Sequence, residues 1–397
     1  MNNKLLILFF FITLTGFNEF ISYFLQTEEV FSYPILILLI IIFFQTRNIF
    51  RFNSTYLLVF VILFYLIIGS FYSVVNYNSD IIFSHYRLYL PSILIILIIG
   101  WRMQDYILVS SWDLEKIIFL MLMISNFSVL VFAVFDLNII DDQGRYSSTL
   151  LNPNDSAFLS CFSFAILLAN RRKFRKFWSI YLVISVIACL LSFSKTGFLN
   201  IIIILFLYFL LYRKTFSFKY IRQISFVLVV FSIIYINFSD KLNEFQALRI
   251  NNFYELLFEG KIDATTTTKR SDIFNHSVDL IERNGYYSGY GLGTFHRIYS
   301  LERGSHNLFL MVFGESGLFP FIILLCFFVR FLYMAYNIID SMSRFKLVSF
   351  LVIILTMSNT THSFLISKAN IILLTYTILL CSFIYNNQHK KNVFSEE

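Results

Sequence analysis

The chain has 397 residues, of which 58% are hydrophobic and 14% charged, with 50 phenylalanines and a formal net charge of +7. Soluble chains run at roughly 45–50% apolar and about 25% charged, so this composition excludes a water-soluble globular protein and places the chain in a lipid bilayer. The basic excess sits in short segments between apolar runs, which argues for membrane topology against an anionic inner leaflet and excludes nucleic acid as a partner.

In chain order, apolar runs predict twelve membrane helices, at 5–25, 30–44, 56–75, 88–101, 117–135, 156–170, 177–193, 197–212, 223–238, 317–336, 347–361 and 369–386. Most approach the roughly 20 residues that cross a hydrocarbon core of about 30 Å; the second, fourth and eleventh are short. Lys4 precedes the first run and no small-residue cleavage site follows, so that run reads as an uncleaved helix. The expected fold class is all-α: a polytopic membrane protein of about 12 transmembrane helices with a large outer helical loop between helices 9 and 10. Residues 1–238 would hold helices 1–9, 239–306 the loop or cap, and 307–397 helices 10–12 and a cytoplasmic tail.

Alternate loops differ in charge. One set carries Lys4, Arg47, Arg51, Arg102, Lys116, the RRKFRK run at 171–176, Arg213, Lys214, Lys219, Arg222, Arg344, Lys346, Lys390 and Lys391, whereas the short loops of the other set hold only Arg87, Arg145, Lys195 and Lys368. Cytoplasmic loops gather Lys and Arg, and long loops cross regardless of charge. Both termini are therefore expected in the cytoplasm, with 239–306 outside. Cys161, Cys189, Cys326 and Cys381 all fall inside predicted spans, with no CxxC and no histidine at ligand spacing. Neither a zinc site nor a disulfide framework is indicated, and core packing is the expectation for all four.

Within the outer segment, KLNEFQALRINNFYELLF and RSDIFNHSVDLIERN repeat apolar residues at spacings of three and four, which predicts two amphipathic helices. TTTT at 265–268 reads as the linker between them, and GYYSGYGLGTF as the turns that lead back to the membrane. GYGLGT at 289–294 lacks the preceding strand and the GK[ST] of a phosphate loop; its glycines serve backbone freedom in a tight turn.

Four outer segments carry candidate chemistry. In GRYSSTLLNPNDSAF, Asn152 followed by Pro153 suits a helix start, while Arg145 is a lone cation on the face poor in positive charge, and its planar guanidinium pairs well with phosphate. In SFSKTGF, Lys195 is either a snorkelling lysine or a phosphate contact. Arg270 opens the second amphipathic helix, as a solvent-facing salt bridge or a third anion contact. GSHNLFLMVFGESG spends His306, Asn307 and Glu315 at the edge of an apolar run. An imidazole there can accept a proton near neutral pH, or anchor a helix at the interface. Glu315, nine residues on, falls on the opposite side of an unbroken helix and reads as a buried polar tie to another helix, with Gly317 ending the first helical piece.

Three cations and one base are the parts that glycosyl transfer from a lipid diphosphate requires, because the leaving group is already good. Electrostatic stabilisation supplies the larger share of such catalysis, and a positioned base adds roughly 10²–10⁴-fold. No acidic pair stands at metal-ligand spacing, so no metal and no cofactor is expected.

HNLFLMVFGESG resembles the HN-x-x-L…E-x-G signature of the O-antigen polymerase and O-antigen ligase superfamily. The order RYSSTLLNPN, SKTG, RSDIF…ERNGYYSGYGLGTF, SHN is similar to that family as well, over roughly residues 140–320. The resemblance implies inverting, metal-independent transfer of glycan from undecaprenyl diphosphate at the periplasmic face of a bacterial inner membrane. It implies His306 as the base, diphosphate contacts for Arg145, Lys195 and Arg270, and Asn307 and Glu315 in support. The implied partners are the undecaprenyl-diphosphate-linked glycan, the bilayer, a chain-length regulator and a flippase. The chain departs from the pattern at Lys195, where the family often has arginine, and after Arg270, where SDIF offers only Phe274. The Phe- and Ile-rich composition and degenerate motifs favour a polymerase, whose acceptor is a lipid-linked repeat, over a ligase, whose acceptor is the lipid A core. A lipid-linked oligosaccharide flippase or transporter is the alternative from another class, with Glu19 and Arg330 as its intramembrane charges.

Overall fold

The computed structural model describes residues 4–24, 32–45, 54–76, 80–135, 145–150, 152–211, 264–295 and 305–393. Its elements are α1 (Lys4–Leu14), α2 (Phe17–Phe24), α3 (Ser32–Gln45), α4 (Thr55–Val75), α5 (Asp80–Val134), α6 (Pro153–Ala169), α7 (Trp178–Leu191), α8 (Lys195–Leu211), α9 (Ala264–Arg283), α10 (Leu308–Ser316), α11 (Leu318–Tyr336), α12 (Ser341–Ser358) and α13 (Lys368–Val393), with a 3₁₀ turn at His362–Leu365. Helices cover eleven of the twelve predicted spans. The other, 223–238, and the first predicted amphipathic helix, 241–258, lie outside the described residues. Among the described residues five helices are long and apolar enough to cross a membrane, or six if α1 and α2, bent by 54°, form one span, and the shorter apolar helices include α6, α7 and α8. The protein is a polytopic helical membrane protein.

Three sequence expectations change. The polar stretch RMQDY…SSWDLEK between the fourth and fifth predicted spans is helical, so the two runs join in α5, whose only break in helical geometry is Ser110 (φ −158°, ψ 95°). At 1.5 Å per residue, 55 residues extend about 80 Å, too far for one crossing. Ser110 Oγ accepts from Asp113 N–H at 3.3 Å and starts the second half as a capping serine does. TTTT is not a linker, because α9 begins at Ala264 and takes it in. β-branched residues lower helix propensity without forbidding the helix, and Arg270 accordingly lies in the second turn and does not open it. Cys161, Cys189 and Cys381 are buried free thiols as expected, but Cys326 is exposed, on the outside of the bundle.

The centre of the bundle is α6, in which every residue except Asn154 is buried. Its small residues (Ser156, Ala157, Ser160, Cys161, Ser163, Ala165) let neighbouring helices approach closely, the usual basis of helix packing in lipid. A polar cluster joins three helices there. Asn126 of α5 donates to Ser163 Oγ (2.7 Å) and Ser185 Oγ of α7 (3.3 Å), and accepts from Ser160 Oγ (2.7 Å). Each such bond is worth about 0.6 kcal/mol and at most about 1.7 in a membrane interior. Asn126→Leu is therefore expected to lower the detergent melting temperature by a few degrees without unfolding the protein; an unchanged melting curve would show the cluster to be energetically silent.

Among the described residues, polar contacts tie the helices together at both ends of the bundle. At one end Lys346 Nζ meets both Glu115 carboxylate oxygens (3.0 and 2.9 Å) and Asn170 Nδ2 donates to Glu115 (2.9 Å), near the RRKFRK turn, where Lys173 lies 3.9 Å from the centre of the Trp112 ring. At the other end Tyr146 N–H bonds Leu191 O (3.2 Å) and Asn76 Nδ2 bonds Tyr290 O (3.0 Å).

Candidate functional site

The site is built from five segments at that second end. Asn152 caps α6, its side chain accepting from Asn154 N–H at 2.9 Å with Pro153 at the first helical position, as the NPN pattern predicts. Asn154 Oδ1 then accepts from Ser194 Oγ at 3.1 Å, and the next residue, Asp155, accepts from Asn370 Nδ2 at 3.1 Å. The NPND stretch thus fastens the turn before α8 and the start of α13 to α6. Lys195 is exposed at the first residue of α8, and Arg145 is half-buried at the start of the strip that bonds Leu191. The two cations therefore stand on neighbouring, hydrogen-bonded segments.

His306 is not on a helix. It adopts φ +47°, a left-handed conformation that costs a non-glycine residue of order 1–3 kcal/mol and recurs at functional sites. The next residue, Asn307, caps α10, its Oδ1 accepting from Phe309 N–H (2.9 Å) and Leu310 N–H (3.1 Å). Its amide also donates to Asn359 Oδ1 (3.3 Å). Gly317 at φ +80° closes α10 and opens α11, so the polar edge of the motif lies before a nine-residue half-helix.

Glu315 is fully buried and accepts from the Tyr65 hydroxyl of α4 and from Phe295 N–H (3.1 Å). It holds the glycine-rich turn to the membrane helices, as a buried tie should. The turn itself lies against that carboxylate's own backbone: Tyr290 N–H bonds Gly314 O (2.8 Å) and Gly291 N–H bonds Glu315 O (3.0 Å). A side chain at Gly289 would collide with the Glu315 carbonyl, and Gly291 has φ +96°. That contact explains the glycines without a nucleotide. Nearby, Tyr286 donates to Glu282 (3.1 Å), and the carboxylate acceptor pushes the phenol pKa up from its usual value.

Against His306 opens a cavity of about 140 Å³ lined by Ile273 and Phe274 of α9, Ser305, His306 and Asn307, and Asn359 and Thr360 at the end of α12. Arg270 lies three and four residues before Ile273 and Phe274, a spacing that puts its position on the same stripe of α9. The sequence-predicted residues thus lie on two sets of segments: Arg145 and Lys195 beside the Tyr146–Leu191 bond, and Arg270 on the helix whose Ile273 and Phe274 line the cavity at His306. Between them run residues 359–368, tied to one side by the Asn307–Asn359 bond and to the other by the Phe158–Phe364 ring contact at 5.7 Å. Asn359 and Thr360 were not legible as site residues. The signal for them was weak but present: SNTTHS is an uncharged polar run between two apolar spans. Of the charges assigned to a transport path, Arg330 is exposed on the outside of the bundle, and Glu19 is half-buried beside α1.

Fold and site together define a multi-pass helical membrane protein with a polar site at one end of its bundle. Within it, residues 180–325 match the family model of the O-antigen ligase, a family of membrane enzymes of glycan transfer. The matched stretch takes in Lys195, Arg270, His306, Asn307 and Glu315 and leaves Arg145 outside, and it bears out the superfamily resemblance of the motifs. No curated protein matches the chain.

Proposed function

We propose that the protein is an O-antigen polymerase that transfers a growing glycan from undecaprenyl diphosphate to a lipid-linked repeat unit at the periplasmic face of the inner membrane, with both termini in the cytoplasm. The observation that carries this reading is His306, set in a left-handed turn at a cavity wall inside the stretch that matches the ligase family. In the reaction, an acceptor hydroxyl oxygen attacks the anomeric carbon of the donor sugar from the face opposite the diphosphate. The new glycosidic bond forms as the bond to the diphosphate breaks, undecaprenyl diphosphate leaves with the electron pair, and the hydroxyl proton passes to His306. Inversion at the anomeric carbon follows from that single displacement, and no metal or cofactor takes part. Arg145, Lys195 and Arg270 neutralise the charge that grows on the diphosphate, the role in which fixed cations contribute most. A flippase supplies the donor and a chain-length regulator limits the product.

Deleting the gene and running the surface glycan on a gel tests the reading. Core carrying a single repeat is the expected result; core carrying none would point instead to a ligase, for which the same residues would serve with the lipid A core as acceptor, or to a flippase of the lipid-linked oligosaccharide. Arg270→Ala should weaken use of the diphosphate donor at least tenfold more than Arg270→Lys does, measured as donor KM in reconstituted membranes, because lysine keeps the charge and loses only the bidentate fork. Equal effects of the two would make Arg270 a structural salt bridge.

A further inference from the structure

Glycosyl transfer needs two binding places, one for the lipid diphosphate and one for the sugar whose hydroxyl attacks. The cavity beside His306 has the character of the second. Among the described residues its lining offers an aromatic face (Phe274), an aliphatic wall (Ile273), two side-chain amides (Asn307, Asn359) and two hydroxyls (Ser305, Thr360). Few placed polar groups in a mostly apolar concavity is the general make-up of a small-molecule site. Phe274 is 49% exposed on α9 although its neighbour Ile273 is 5% exposed, so its ring is held at the surface by a helix anchored elsewhere.

Asn359 is fixed in place twice. Its Nδ2 donates to Leu355 O (2.9 Å) and its Oδ1 accepts from Asn307 Nδ2 (3.3 Å). A carboxamide has two N–H donors and two lone pairs, so these bonds orient the group and still leave one of each for a ligand. Thr360 donates to Met357 O (3.1 Å) and keeps its acceptor capacity. A donor and acceptor pair beside an aromatic ring matches a pyranose, which presents hydroxyls at its rim and C–H bonds on its face. A base must also reach the acceptor's proton, so the sugar that sits beside His306 is the nucleophile and not the donor.

We propose that this cavity is the acceptor-sugar subsite, in which Phe274 stacks on the sugar face and Asn359 and Thr360 read its hydroxyls. The inference rests on the glycosyl-transfer reading above and names the substrate group of one half of that site. It makes Phe274 and Asn359 determinants of which acceptor is used, because a site built to hydrogen-bond a hydroxyl rejects analogues that lack it far more strongly than an apolar pocket rejects a missing methylene.

The test uses the full-length protein in lipid nanodiscs, with lipid-linked repeat unit from the deletion strain as donor and the same oligosaccharide, released from its lipid by mild acid, as acceptor. The released sugar has lost its diphosphate and can act only as acceptor. Phe274→Ala and Asn359→Ala should each raise KM for the released oligosaccharide about tenfold or more, with donor KM unchanged within about twofold. Phe274→Trp should restore near-normal KM, and Asn359→Asp, which keeps the bond from Asn307 but loses the donor, should remain impaired. A change in donor KM alone, no change in either, or a wild-type protein that neither extends nor binds the released sugar would overturn the subsite. The underlying reading fails separately, if His306→Ala transfers glycan at the wild-type rate whatever the Phe274 variants do.

Discussion

His306→Ala is expected to cut polymerisation by roughly 10²–10⁴-fold, the contribution of a positioned general base, while the protein remains in the membrane at its normal level. The side chain is half-buried and outside any helix, and its neighbours are held by other groups: Asn307 caps α10, and Ser305 N–H bonds Phe295 O at 2.9 Å. Removing the imidazole leaves both of those anchors in place. A backbone at φ +47° suits histidine better than alanine, because histidine is enriched several-fold in this region, so His306→Gln is run beside His306→Ala. The gel ladder of surface glycan is the measurement, with immunoblotting of membranes as the control. Near-normal chain lengths would remove His306 from the role of base.

At the other end of the bundle, Lys346→Met is expected to destabilise the protein by about 3–5 kcal/mol, the usual cost of leaving one member of a buried pair unpaired. Glu115 is 3% exposed and takes both bonds of the Lys346 ammonium, with Asn170 as its further donor among the described residues. The double variant Glu115→Gln/Lys346→Met should recover most of the loss, because it removes both charges and leaves an amide that Asn170 can still meet. Monodispersity after heating in detergent reports the difference. Equal stability of the single and double variants would mean that Glu115 tolerates the loss of its partner, and that the pair fastens nothing.

How far the sequence revealed this molecule depended on the range of the interaction concerned. Signals carried by adjacent residues were legible: Asn152 with Pro153 as a helix start, Gly317 as the end of a half-helix, and the apolar runs as helices. Glu315 was legible as a buried tie because a carboxylate inside an apolar run has few other stable arrangements. The Glu115–Lys346 pair was not, since its members are 231 residues apart and each was expected in a cytoplasmic loop. The continuity of α5 was hidden for a related reason: its polar middle reads as a loop when only hydropathy is followed, although charged residues such as Glu115 are good helix formers. Asn359 and Thr360 bear no charge, and nothing in SNTTHS announces chemistry until α9 and the His306 turn are laid beside it.

The helix at the centre of the bundle is also poorly suited to enter a bilayer alone. α6 is 17 residues long, about 26 Å at 1.5 Å per residue, shorter than a typical hydrocarbon core, and it carries Asn154, Asp155 and three serines on its way through. Its polar partners lie on other helices: α5 ahead of it brings Asn126, α7 behind it brings Ser185, and Asn370, the partner of Asp155, comes more than two hundred residues later. Asp155 can meet this buried partner only once the last helix has been made.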